Sequence, residues 1–111
     1  MRRLALALAL AAGCAHSPGG APGELDKPAL IRGMQPVREP AHACYEKFKV
    51  PGRVDVSVEI APDGRVVSAE AIGEFANTKT GTCIAAAVKS SAAFSPFKGR
   101  GVRTRWPVIL Q

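Results

Sequence analysis

No apolar run in this sequence approaches the roughly 20 residues that span a bilayer. The longest, Leu4–Ala12, is nine residues of Leu and Ala. A polytopic helical membrane protein is therefore excluded. Histidine is scarce, with only His16 and His42, and the cysteines at 14, 44 and 83 keep no zinc-site spacing. No metal and no cofactor is expected. Catalytic motifs are missing too: there is no phosphate-cradling Gly loop of P-loop spacing, no HExxH and no CxxC. His42 and Cys44 stand two residues apart, about 200° around a helix, so the imidazole is poorly placed to activate the thiol. Asp55 and Glu59, four apart on a strand, are separated by about 13 Å, too far for a paired acid–base device. Nothing in the pattern argues for an enzyme or a small-molecule substrate.

What is present fits one small domain. The chain has 111 residues, 47% hydrophobic and 22% charged, the balance of an ordinary globular protein. Eleven glycines and nine prolines argue against long uninterrupted helices. Met1-Arg2-Arg3 followed by Leu4–Ala12 has the form of a signal peptide over residues 1–13. Leu10-Ala11-Ala12-Gly13-Cys14 resembles the bacterial lipoprotein signal, in which small residues precede a lipid-accepting cysteine. That resemblance implies lipidation at Cys14, and Ala15 after it leans toward the outer membrane. The alternative is a plain secretory peptide cleaved nearby. Two or three acyl chains, at about 0.8 kcal/mol per buried methylene, would anchor the protein firmly. Without Arg2 and Arg3, 13 basic residues face 9 acidic ones, a net charge of +4. For an exported protein that balance does not point to nucleic acid.

His16–Pro28, rich in Pro, Gly and small residues, reads as a flexible tether, so residues 14–28 form anchor and linker. From Ala29 the periodicity changes. Leu30, Ile31, Met34 and Val37 keep helical spacing, and Pro40 can open a second short helix whose face is Ala41, Cys44, Tyr45 and Phe48. A broken helical segment is expected over 29–49. Residues 53–60 alternate strictly, with Val54, Val56, Val58 and Ile60 on one face. Ala61-Pro62-Asp63-Gly64 is a turn, and 65–72 returns as a second strand. Residues 73–81 read as a polar loop. Thr82 is placed to cap a helix to about Ala92, whose face is Cys83, Ile84, Ala87, Val88 and Ser91. A last strand covers 102–110.

The expected fold is α+β: a small three-stranded sheet of order 2-1-3, with both helical segments packed on one face. Cys44 and Cys83 are an even pair on apolar helix faces of a small exported domain, which is most simply a disulfide. Two buried free thiols are the other reading. Lys98, Arg100, Arg103 and Arg105 set four positive charges within eight residues. They suit an acidic partner, or they are the outward positions of a half-exposed strand guarding its edge. Pro107 lacks an N–H and marks 102–110 as an edge strand. Trp106 and Tyr45 read as core or rim aromatics.

Cys44-Tyr45-Glu46, Gly52-Arg53-Val54-Asp55-Val56, Ile60 through Val66, Cys83-Ile84 and Trp106-Pro107-Val108-Ile109, taken in order, resemble the TonB C-terminal domain superfamily. The likeness is to its cysteine-paired branch, found on TonB-like energy transducers of transport systems and on gliding-motility proteins, and it covers residues 29–111. It implies a periplasmic α+β binding module whose last strand pairs with an extended segment of an envelope protein. Arg103, Arg105, Pro107 and Ile109 would then be the partner-binding positions. A signal-like leader and a thirteen-residue linker replace the membrane helix and long Pro-rich span of an energy transducer. Stand-alone or accessory binding is therefore expected, without energy transduction. The competing expectation is an envelope structural lipoprotein that meets peptidoglycan or anionic lipid through its basic C-terminal patch.

Overall fold

Strict alternation of β-branched and polar residues makes Gly52–Ile60 a strand, β1, and Val54, Val56, Val58 and Ile60 are fully buried on one face of it. The computed structural model describes residues 25–111. The expected signal peptide, Cys14 and the linker up to Glu24 lie outside the described residues. The element order is α1 (Lys27–Met34), a 3-10 turn (Gln35–Val37), α2 (Arg38–Phe48), β1, β2 (Val66–Ile72), a 3-10 turn (Gly73–Phe75), α3 (Lys79–Ser91) and β3 (Val102–Leu110).

The first helical segment is broken, as the prolines require. It begins two residues earlier than periodicity suggests, because the Asp26 carboxylate accepts the Ala29 N–H at 3.0 Å and Pro28 fits the first turn. Pro36, unable to donate, sits in the 3-10 turn between α1 and α2. Pro40 does not open α2, which starts at Arg38; it occupies the first turn instead. Met34 and Val37 are buried, but Ile31 is 44% exposed and does not join the core. Lys49 ends α2 in the left-handed region at φ 59°, its N–H bonded to the Tyr45 carbonyl at 2.7 Å.

Sheet order is β2-β1-β3, with both outer strands antiparallel to β1. The β1–β2 turn closes through Gly64 N–H to Ala61 O and Ala61 N–H to Arg65 O, both 2.8 Å. Gly64 supplies φ 93°, and a Cβ there would strike the Phe94 carbonyl. The turn is also held from outside, since Phe97 donates to the Pro62 carbonyl at 2.8 Å.

Two sequence expectations change over residues 73–82. The stretch is not a uniformly polar loop, because Phe75 is 7% exposed and belongs to the core. Thr82 is not the cap of α3. Thr78 is, accepting the Gly81 N–H at 2.9 Å, and the helix runs from Lys79 with Thr82 inside it. Gly81, expected as the last residue of the loop, is instead part of the helix, because its missing Cβ leaves room for the Phe75 carbonyl. Tertiary packing overrides propensity here. Ile84 and Val88 of α3 lie fully buried. Helix α3 packs against β2 and β1, and α2 packs against α3 and β3, so both lie on one sheet face. Cys44 of α2 and Cys83 of α3 stand at disulfide distance, with Cα atoms 5.9 Å apart.

Candidate functional site

β3 pairs with β1 alone, so its other edge has no strand neighbour among the described residues. Which main-chain groups face that edge follows from the turn. Ala61 directs its N–H toward β2, to the Arg65 carbonyl. Successive residues of a strand direct their N–H and C=O groups to opposite sides. The odd residues of β1 therefore face β2 and the even ones face β3. Opposed pairs Val54–Val108, Val56–Trp106 and Val58–Thr104 are then the hydrogen-bonded pairs. Arg103, Arg105, Pro107 and Ile109 turn their main chain to the free edge. Pro107 thus sits where its missing N–H costs the sheet nothing.

The side chains of these four residues lie on the sheet face away from the helices. All four are exposed, Ile109 to 59%. Arg103 bonds Glu59 on β1 at 3.0 Å, and Arg53 bonds Asp55 at 2.9 Å. Asp55 and Glu59 are thereby ion-pair partners of arginines. Arg105 faces Ser57 instead and has no ion-pair or hydrogen-bond partner among the described residues.

On the helix side, an open groove of about 1350 Å³ runs along β3 beneath α2. Its lining includes Val37, Ala41 and Tyr45 above and Trp106, Val108 and Leu110 below. Trp106, Val108 and Tyr45 are only half-buried, although they point toward the core side. For Trp106 and Tyr45, which the sequence reads as core or rim aromatics, this is the rim position; Val108 joins them, and the gathering of the three into one groove is not visible in the sequence. Charged groups on the upper rim come from exposed α2. Glu46 sits beside Lys49 at 2.9 Å and His42 at 3.4 Å. The Lys49 hydrogen bond, then its charge, hold the Glu46 carboxyl below its ordinary range, and the same bond raises the Lys49 ammonium.

Of the remaining sequence candidates, Lys98 and Arg100 lie exposed in the loop before β3, at the end away from the groove. A smaller shallow cleft, about 550 Å³, lies beside Cys83 and is lined by Lys47, Phe48, Asn77 and Lys79 among others. Among the described residues no group of three or more His, Cys, Asp and Glu could hold a metal ion. No described helix is long and apolar enough to cross a membrane. Compared with known proteins, the chain matches no family model, no curated protein and no solved structure.

Proposed function

We propose that this chain is a protein–protein interaction module that takes up an extended segment of a partner as a fourth strand along β3. The observation that carries the reading is the coincidence of a strand edge that has no strand neighbour among the described residues with a half-apolar groove. An added strand would satisfy the edge's main-chain groups and lay alternate side chains under α2, against Trp106 and Val108. The order of motifs that resembles the TonB C-terminal superfamily supports the same reading. With the lipoprotein-like signal, it sets the module in the bacterial envelope, anchored through a lipid on Cys14 and leaning to the outer membrane. The module does not transduce energy itself, and its partner is an envelope protein with an extended segment.

A second reading is favoured by the exposed Lys98, Arg100 and Arg105: an envelope structural protein held on peptidoglycan or anionic lipid by charge. Salt separates the two. A photo-reactive residue at Ile109 is crosslinked in intact envelopes and in envelopes washed at about 0.5 M salt, where the Debye length falls below ~5 Å. Strand addition yields one protein adduct that survives the wash. Release into the wash with no protein adduct supports the charged patch and sinks the strand reading.

A further inference from the structure

We infer that the partner segment alternates apolar and acidic residues, with the acidic side chains on the outer sheet face beside Arg103 and Arg105. This deepens the strand-addition reading and rests on it.

The charge pattern of the outer face leads there. Both acids of β1 on this face are ion-paired, Asp55 with Arg53 and Glu59 with Arg103. Arg105 is opposite Ser57 and has no ion-pair partner among the described residues. Glu70 lies opposite Ser57 on β2, two strand spacings or about 9.5 Å from Arg105 across the sheet. A strand added to β3 puts its outward side chains one spacing, about 4.8 Å, from Arg105. Opposite charge there is favourable, and like charge is not.

The donors of the edge fall in the same place. Its outward N–H groups belong to Arg103, Arg105 and Ile109, with a gap at Pro107. The uninterrupted donor pair is therefore the stretch flanked by the two arginines, so the best main-chain pairing and the positive charge select the same part of the segment. On the other face the added strand meets Trp106, Val108 and Tyr45, which accept apolar side chains. Acidic outside and apolar inside, at period 2, is the complement of this edge.

The test uses the full-length chain and three fluorescent ten-residue peptides. One alternates Val and Glu, one alternates Val and Lys, and one has the Val/Glu composition with its glutamates in one block. Anisotropy is measured at about 50 and 500 mM salt. The Val/Glu alternating peptide binds about tenfold tighter than the Val/Lys one at low salt, and the preference shrinks at high salt while binding persists. Arg105→Glu reverses the order of the two alternating peptides. Lys89→Glu, the same charge change on the exposed end of α3, leaves the order as it was. Equal binding of both alternating peptides overturns this inference and leaves strand addition standing. A block peptide that matches the alternating one overturns it too, since only net charge is then read. Binding of none of the three overturns the strand-addition reading itself.

Discussion

Cys44 on α2 and Cys83 on α3 stand with Cα atoms 5.9 Å apart, joining the helix that roofs the groove to the helix that roofs the rest of the sheet. The bond closes a loop spanning 39 residues of sequence separation. In the chain-entropy argument such a loop stabilises the fold by about 4 kcal/mol. For a domain of this size that is a large share of the total. Reduction, or Cys83→Ser with Cys44→Ala, is expected to lower the melting temperature by many degrees in calorimetry. An unchanged melting curve on reduction would show that the two helices hold each other without it.

Gly33, one turn before the break at Pro36, is covered by the Phe94 ring, and a Cβ added there would fall within it. Its carbonyl also accepts the Ala93 N–H at 3.0 Å, so α1 is fastened to the segment after α3 by both contacts. Gly33→Ala must displace the ring and should cost about 1–3 kcal/mol despite its gain in helix propensity. Denaturant titration reads the shift in midpoint. A stabilised variant would mean that α1 and Phe94 move apart freely.

Acid should weaken the β1–β2 turn. Asp63 accepts the Arg65 N–H at 2.9 Å, which holds its carboxyl below the ordinary 3.8, aided by the Arg65 charge. A carboxyl depressed in the folded state adds stability above its unfolded pKa and loses it as pH falls through the folded one. The loss therefore lies below about pH 4. Asp63→Ala should be less stable than the parent at about pH 6 and converge with it near pH 2. Glu46, depressed by Lys49, titrates in the same direction, so the variant keeps some acid dependence. A gap between the two that widened toward low pH would contradict the assignment.

The legibility of the sequence divides by the range of the cause. The alternation in 53–60 and the turn at Pro62–Gly64 act between near neighbours, and the β1–β2 hairpin follows them closely. Pro107 announced an edge, and β3 is one. Phe75 and Gly81 depart from the sequence expectation because their roles depend on each other: the Gly81 site is filled by the Phe75 carbonyl, a contact neither residue's propensity encodes. The groove was hidden for the same reason. Its floor at Trp106 and roof at Tyr45 are about sixty residues apart in sequence, and only the packing of α2 over β3 brings them together. The four partner-binding positions read from the sequence supply main-chain groups at the edge. The apolar side chains of the site come from their neighbours on β3, Trp106 and Val108.

The assignment of main-chain groups along β3 predicts alternating sensitivity to proline. Thr104 faces Val58, and its N–H lies in the β1–β3 ladder. Thr104→Pro removes that donor and leaves a buried acceptor, which costs about 1–3 kcal/mol before any ring strain. Arg105 faces the free edge, as Pro107 already does, and a proline there takes nothing from the ladder. The residue before a proline is biased to extended backbone, which Thr104 already has in β3. Arg105→Pro should therefore melt close to the parent, while its binding of the Val/Glu alternating peptide falls sharply through loss of an edge donor and a charge. Arg105→Ala, which keeps the N–H, separates the two losses by retaining part of the affinity. Thermal melts and anisotropy on the four proteins decide the matter. If Arg105→Pro binds as the parent does, the partner does not add to β3; if it unfolds while Thr104→Pro stays intact, the ladder runs through the other set of residues.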